Sequence, residues 1–334
     1  MSMLLIVDQL QKYYPMRSGR RNWRWWRAAR CKPLRSCLYA VDDISFGLEE
    51  GECLGVVGES GCGKSTLVYL LARLIDPSAG RIVFDGKDLS RIPAQEFAQA
   101  KARAQLQVVF QNSAESLNPR LTILDCMAEP WRRLQGVESR HELVARVGDF
   151  IDRVGLPDDV FLRLPHQLTE GQKVCVNIAR AIALRPRLLI LDEPTAGLDI
   201  SAQSLVLQLL DTLRRNFGMT CIMVSLDLNV MRLLSDRVMV MYQGRIAEIG
   251  ITEDVLQRPL HPYTQALVSA MPAPDNRQGF ERITLYGQLG RAIDPKPEAC
   301  RLAERCPKSQ DLCRQVRPVL KRHAPHHSVA CHAV

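Results

Sequence analysis

A glycine-rich loop between an apolar run and a helical pattern constrains this sequence more than any other feature. The apolar run covers residues 53–57, the helical pattern starts at Lys64, and the loop has the spacing of a phosphate-binding loop, or P-loop. Its glycines let backbone N–H groups turn onto phosphates, and the helix N-terminus adds partial positive charge. The residues expected to contact a nucleotide are Gly58, Glu59, Ser60, Gly61, Cys62, Gly63, Lys64, Ser65 and Thr66.

A second site of negative charge is expected where a later buried strand ends. The apolar residues 188–191 are followed by Asp192 and Glu193. We expect Lys64 to reach the β and γ phosphates, and Ser65 and Asp192 to hold Mg²⁺. Glu193 then stands where a base polarises the attacking water. An Asp-Glu pair after apolar residues is common, so its meaning depends on the P-loop.

The bulk composition fits an ordinary globular protein with one large core and an appendage. The chain has 334 residues, of which 46% are hydrophobic and 24% charged. Strand-like runs and helical patterns alternate through residue 250, which favours an α/β core with a mainly parallel sheet. Runs at residues 4–9, 38–48 and 52–57 suggest an antiparallel sheet, and a long helix is expected from Lys64.

The membrane and nucleic-acid classes are disfavoured by the distribution of apolar and charged residues. No apolar run approaches the ~20 residues that cross a bilayer, and no secretory signal pattern starts the sequence. The formal charge is +8, and residues 17–35 alone contain eight basic side chains without an acid. The remainder is electrically balanced, so we expect a cytosolic chain with any membrane contact peripheral, and no nucleic-acid partner.

Further motifs identify the chain as similar to the ATPase subunits of ABC transporters over nearly its whole length. These motifs are Tyr14, Gln111, Leu168-Thr169-Glu170-Gly171-Gln172 and Gly197-Leu198-Asp199. The resemblance implies that Gln111 senses Mg²⁺ and that Tyr14 stacks on adenine, unless Tyr14 is a plain surface tyrosine. It implies that Thr169, Glu170, Gly171, Gln172 and Asp199 serve the ATP of a second, head-to-tail subunit.

The implied fold is an α/β P-loop NTPase core of the ABC ATPase type with an antiparallel β subdomain. An inserted helical subdomain is expected at about residues 112–185. We expect an ATPase domain at residues 1–272 and a regulatory, cysteine-rich tail at residues 273–334.

Two blocks, residues 116–120 and 261–267, resemble the oligopeptide and dipeptide importer branch in particular. Neither block suggests a chemical role. The resemblance implies two transmembrane permease subunits, an extracytoplasmic solute-binding protein and a place on the cytoplasmic face of a bacterial inner membrane. The same branch imports nickel or metallophores, glutathione and antimicrobial peptides, so the solute stays open.

Two positions depart from the family pattern. Glu170 stands in the signature helix where the family has its first glycine, while Thr169 keeps the hydroxyl of the family serine. Two charges ~5 Å apart at a dielectric near 20 repel by roughly 3 kcal/mol. Alternatively, Glu170 turns outward, or it is neutralised by Lys173 or by an arginine of a partner. Leu226 replaces a histidine that donates to a phosphate. We therefore expect a weakened ATPase in a heterodimer, or a degenerate subunit with a structural role.

The tail and an insertion near the N-terminus carry the last two expectations. Cys300, Cys306, Cys313 and Cys331 resemble the terminal cysteine group of the importer branch, which implies a [4Fe–4S] cluster, with Zn²⁺ or free thiols as alternatives. The insertion at residues 16–37 interleaves Trp23, Trp25 and Trp26 with arginine. It suits either a contact with anionic lipid or a solvated loop.

Overall fold

A computed structural model describes residues 3–16, 36–111, 113–271, 283–287, 290 and 292–334. Residues 17–35 of the insertion at residues 16–37 contain its three tryptophans, and the expected boundary after residue 272 falls on residues 272–282. Both lie outside the described residues. The chain divides into two compact units. The first contains Leu48–Gly55 and Pro93–Asp236, and the second contains Met3–Gly47, Val56–Ile92 and Arg237–Val334.

Strands occur in both units and are numbered in chain order. They are β1 (Met3–Pro15), β2 (Cys37–Glu49), β3 (Cys53–Val57), β4 (Ala79–Phe84), β5 (Lys87–Asp88), β6 (Leu106–Val109), β7 (Leu188–Asp192), β8 (Thr220–Val224), β9 (Arg237–Tyr242), β10 (Arg245–Ile251), β11 (Lys321–Ala324) and β12 (His327–Val329).

The α-helices are short except in the first unit. They are α1 (Lys64–Leu71), α2 (Ala94–Phe97), α3 (Ala102–Gln105), α4 (Ser113–Ser116), α5 (Ile123–Gln135), α6 (Arg140–Val154), α7 (Glu170–Ile182), α8 (Ile200–Phe217), α9 (Leu228–Leu234), α10 (Thr252–Gln257), α11 (Pro262–Ser269) and α12 (Asp311–Gln315). Single 3-10 turns occupy Leu89–Arg91, Asp158–Leu162 and Pro165–Gln167. In the described part of the chain, no helix is both long enough and apolar enough to span a membrane.

The first unit is built on a parallel sheet with the strand order β3-β8-β7-β6. Leu106 pairs with Leu188, and Leu188 pairs with Thr220, so the three later strands run in step. All five residues of β7 and all five of β8 are buried, as expected for parallel strands covered on both faces. Because the strands run in step, their carboxyl ends meet at one edge of the sheet.

The described residues between β6 and β7 form helices, 3-10 turns and loops but no strand. The helix α5 starts at the N-cap Thr122, whose hydroxyl accepts the Asp125 N–H, and ends at Gly136 in the left-handed region. Its apolar face packs on α6, where the rings of Trp131 and Phe150 lie 5.6 Å apart. Caps and amphipathic faces therefore define the helices of this segment.

The second unit contains two sheets. Its structure differs from the sequence-based expectations in the position of β3 and in the length of the helix α1. One sheet has the order β2-β1-β4-β5, and the other runs β11-β12-β10-β9-β3. The strand β3 contributes Val56 and Val57 to this unit, and its first three residues belong to the first unit. The strand β3 was expected beside β1 and β2, but it lies in the other sheet, because a fully apolar strand needs cover on both faces. The helix α1 is short. It ends at Leu71 with Ala72 as its C-cap, and the next residue, Arg73, takes a φ of 55° in the left-handed region.

A buried carboxylate joins the C-terminal residues to the rest of the second unit. Glu248 in β10 is fully buried and accepts the backbone N–H groups of Leu260 and His261, each at 2.9 Å. The His327 imidazole lies 2.7 Å from the same carboxylate. The adjacent strands β10 and β12 pair in antiparallel register, with Gly250 opposite His327. The tail, which lacks sequence periodicity, therefore adds two strands to a sheet edge.

His261 makes the stability of the protein depend on pH. It is 4% exposed, its Nδ1 accepts the Tyr263 N–H at 3.1 Å, and burial lowers its pKa from 6.5 to about 4. The unfolded chain binds the proton more readily than the folded one, so stability falls as pH drops from 6.5 towards 4. The full loss is about 3 kcal/mol at roughly 1.4 kcal/mol per pKa unit.

We predict that His261→Asn, which keeps a capping acceptor without a titrating group, removes this dependence. Urea unfolding at about pH 7 and about pH 4.5 measures the pH dependence of the free energy of unfolding. Between these pH values the wild-type protein should lose about 2–3 kcal/mol more of this free energy than the variant. His323→Asn, at an exposed position, is the control and should behave like wild type. Equal losses in wild type and His261→Asn would contradict the assignment.

Candidate functional site

The P-loop curls around its own lysine. The Lys64 ammonium donates to the carbonyl oxygens of Gly58 at 2.7 Å and Glu59 at 3.2 Å, and Lys64 is 5% exposed. The loop glycines allow this path because Gly58 has a φ of 153° and Gly63 a φ of 112°. Ser60, Gly61 and Ser65 are exposed, so the outer rim of the loop is open to a ligand.

The described neighbours of the loop leave no room for side chains at two of its glycines. A Cβ on Gly63 would lie 2.0 Å from the Ala40 carbonyl oxygen, and one on Gly58 would lie 2.2 Å from the Met241 carbonyl oxygen. The Gly244 N–H, in the turn between β9 and β10, donates to the Cys62 carbonyl at 2.7 Å. The loop shape is therefore fixed by backbone packing within the second unit.

Two side chains that sequence reasoning missed also contact the loop. The Tyr263 hydroxyl accepts the Glu59 N–H at 2.7 Å, although the block 261–267 had suggested no chemical role. The Arg305 guanidinium pairs with the Glu59 carboxylate through two bonds, at 2.9 and 3.3 Å. These residues lie 204 and 246 positions from Glu59 along the chain, so no local sequence signal indicates them.

The first unit brings three predicted residues together at the carboxyl edge of its parallel sheet. Asp192 ends β7 and is 3% exposed, and Glu193 follows it. The Gln111 side-chain amide donates to the Glu193 carboxylate at 2.6 Å, and the Glu193 N–H donates to the Val224 carbonyl at 2.9 Å. Glu193 has a φ of 48°, in the left-handed region that costs a non-glycine residue about 1 kcal/mol or more. Such backbone strain is typical of functional positions.

The signature residues form a helix cap. The Thr169 hydroxyl accepts the Gln172 N–H at 3.3 Å, and the Gln172 side chain accepts the Thr169 N–H at 3.0 Å. This reciprocal capping box starts α7 and survives the change from serine to threonine. Next to it, a Cβ on Gly171 would lie 3.0 Å from the Ala202 Cβ, so glycine permits close packing of α7 on α8.

Glu170 turns outward and pairs with Lys173. Its carboxylate lies 2.6 Å from the Lys173 ammonium, and its side chain is 61% exposed. An exposed pair of this kind contributes little to stability, yet it offsets part of the negative charge at the helix start. Asp199 is exposed as well and serves as the N-cap of α8, accepting the Ala202 N–H at 2.9 Å.

Leu226 and Tyr14 are both open to solvent. Leu226 follows β8, two residues after Val224, and is 57% exposed. It presents an apolar surface at the sheet edge that also carries Asp192. Tyr14, near the end of β1 in the second unit, is 36% exposed and has the Lys12 ammonium 5.4 Å from its ring centre. Its exposed face leaves it available for stacking.

The four tail cysteines are neighbours in the second unit. The Cys300 N–H donates to the Cys313 carbonyl at 2.8 Å. The pKa of the Cys300 thiol is raised to about 11. Burial is the main cause, and the charges of Cys313, Cys331 and Cys306 add to it. Within the described residues no group of three or more His, Cys, Asp or Glu side chains could hold a metal ion, so the Zn²⁺ alternative finds no preformed site there. The same observation leaves the [4Fe–4S] prediction without direct support.

Comparison with known proteins agrees with this geometry. Residues 41–196 match the ABC transporter family, and residues 247–313 match a family described as the oligopeptide/dipeptide transporter C-terminal region. The chain is 39% identical to the oligopeptide transport ATP-binding protein AppF of Bacillus subtilis, over 98% of its length and 97% of that protein. It is 40% identical to OppF of Salmonella typhimurium, over 98% of its length and 95% of that protein. The chain belongs to the ATP-binding subunits of ABC transporters.

Solved structures support the fold of this ABC ATPase. The ATP-binding cassette MJ0796, solved as a dimer in a post-hydrolysis state with ADP and Pi, matches with a TM-score of 0.64 at 26% identity. The match covers 74% of this chain and 98% of that one. CbiO1 of Clostridium perfringens matches with a TM-score of 0.62 at 27% identity, over 77% of this chain and 92% of that one. The predicted ABC ATPase fold is therefore confirmed, and the protein is an ATPase coupled to transport.

Proposed function

We propose that this chain is the ATP-binding subunit of a bacterial importer of dipeptides or oligopeptides. The observation that supports this most is the C-terminal match at residues 247–313, because it separates the peptide-importer branch from other ABC ATPases. The near-complete alignment with AppF and OppF supports the same solute class. The partners are two permease subunits and a solute-binding protein, and the chain acts at the cytoplasmic face of the membrane.

The described residues suit the chemistry of phosphoryl transfer. The N–H groups of the P-loop and Lys64 bind the phosphates, while Ser65, Gln111 and Asp192 would hold Mg²⁺. A bound Mg²⁺ would neutralise charge that develops on the phosphoryl oxygens. Glu193 polarises the attacking water, and its 2.6 Å hydrogen bond from Gln111 keeps the carboxylate aimed. Tyr14 stacks on the adenine.

Lys64→Ala tests this function. Loss of a charge-assisted contact should weaken Mg·ATP binding by about tenfold to a hundredfold and abolish uptake of a labelled dipeptide or tripeptide in cells lacking the wild-type gene. Calorimetry and uptake assays measure the two effects. Lys87→Ala removes an exposed lysine outside the loop and should leave both intact. Peptide uptake that survives Lys64→Ala would exclude the proposed role.

The exposed Leu226 favours a slower ATPase that works beside a different subunit. Leucine offers no donor to a phosphate, and losing one such donor typically lowers a rate by about 10²–10³. In a head-to-tail homodimer both sites would contain Leu226 and Glu170. A heterodimer with an intact partner instead gives one site without the histidine and one site that faces the altered signature. A subunit with only a structural role is the second candidate, and Glu193→Gln separates the two, since unchanged uptake would support the structural role.

Leu226→His tests the cause of slow turnover. A restored donor should raise ATP hydrolysis by the purified chain by about tenfold or more. Leu233→His adds the same side chain at an equally open position on α9 and should change nothing. Brisk hydrolysis by the wild-type chain alone would contradict the heterodimer.

The grouped cysteines favour a [4Fe–4S] cluster in the tail. Four thiols within electrostatic reach of one another suit a cluster, whose ligands lie further apart than those of a single ion. The raised pKa values of the Cys300, Cys306 and Cys331 thiols mean that binding must displace protons. The expected consequence is a more ordered tail in the loaded protein.

Iron and acid-labile sulfide assays on anaerobically purified protein test this proposal. About four iron atoms per chain are expected, and Cys313→Ser should lose them. Cys175→Ser, which changes a buried cysteine in α7, is the control. Zinc in place of iron, or no metal at all, would rule the cluster out.

A further inference from the structure

The P-loop contains a charge that opposes its ligand. Glu59, its second residue, has a carboxylate with a side-chain exposure of 28%, in a loop whose neighbouring residues are expected to receive phosphate oxygens. Like charges in a partly desolvated site repel, and screening by water reduces the repulsion only in part. An uncompensated Glu59 would therefore lower the affinity of the loop for a nucleotide.

Arg305 in the C-terminal segment meets this carboxylate. Its two terminal nitrogens bond the two carboxylate oxygens at 2.9 and 3.3 Å, the paired geometry that only a guanidinium provides. Its side chain is 13% exposed, and it also donates to the Tyr242 hydroxyl at 3.3 Å. The arginine is fixed at its own backbone, where its carbonyl accepts the Tyr286 N–H at 2.9 Å.

The loop backbone does not depend on this ion pair. The Glu59 N–H is held by the Tyr263 hydroxyl at 2.7 Å, and the Cys62 carbonyl is held by the Gly244 N–H at 2.7 Å. Crowding at Gly58 and Gly63 fixes the path further. The contribution that remains for Arg305 is to neutralise the Glu59 carboxylate and to hold it in one direction.

We propose that Arg305 is a positioning residue that sets the nucleotide affinity of the P-loop by neutralising and orienting the Glu59 carboxylate. The inference rests on the proposed function in one respect, that the loop binds Mg·ATP. It assigns to the C-terminal segment a direct part in nucleotide binding. Because Arg305 directly precedes Cys306, a rearrangement of the cysteine group would act on the loop through this contact.

A double-mutant cycle measured by calorimetry with Mg·ATP tests the proposal on the full-length chain. Arg305→Met keeps the apolar stem, exposes the loop to the uncompensated carboxylate and should weaken binding by about tenfold. Glu59→Gln frees the arginine charge and should tighten binding a few-fold, by the same electrostatic reasoning. The double variant should return to within about threefold of wild type, because Glu59→Gln removes the charge that Arg305→Met leaves uncompensated.

Controls separate this role from a purely structural one. Arg317→Met removes a comparable ion pair, to Asp43 at 2.6 Å outside the loop, and should not alter affinity. Thermal unfolding shows whether each variant is folded, and higher salt should reduce the Arg305→Met defect. The proposal is overturned if Arg305→Met binds like wild type, or if the double variant binds as weakly as Arg305→Met. Failure of the wild-type chain itself to bind Mg·ATP would instead overturn the proposed function.

Discussion

The crowded backbone of the P-loop is the constraint on which the second unit depends. Gly58 and Gly63 take conformations that other residues avoid, with carbonyl oxygens of Met241 and Ala40 where a Cβ would stand. The loop can then enclose the Lys64 ammonium with its own carbonyl groups. The path of the loop sets the direction in which the strand β3 enters it and the helix α1 leaves it. Tyr263 and Arg305 therefore contact a loop whose backbone path is already fixed.

The C-terminal residues are more closely tied to the P-loop than their composition suggests. A fully buried Glu248 accepts three hydrogen bonds from Leu260, His261 and His327, and so connects the block 261–267 with the end of the chain. Buried charges of this kind are retained only where hydrogen bonds compensate their loss of water. The helix α11 that starts in this block carries Tyr263 to the loop. The region that identifies the peptide-importer branch thus also supports the P-loop.

The first unit concentrates its unusual features at the carboxyl edge of its parallel sheet, where α/β proteins bind their ligands. Strain at Glu193 coexists with its short bond from Gln111, so the carboxylate is aimed before any ligand arrives. The departures from the family pattern have different physical consequences. The capping geometry of α7 is kept and Glu170 finds a counter-ion, whereas the Leu226 side chain offers no hydrogen-bond donor.

The sequence alone determined the P-loop, the Asp192–Glu193 pair, the helical segment and the family, because each depends on residues that are close together in the chain. Glycine spacing, apolar runs and caps act over a few residues, so they can be predicted locally. The tertiary structure decided that β3 lies apart from β1 and β2, that the tail adds β11 and β12, and that Tyr263 and Arg305 meet Glu59. Periodicity shows which face of an element is buried but not against which partner, and an ion pair across 246 positions exists only once the chain path is fixed.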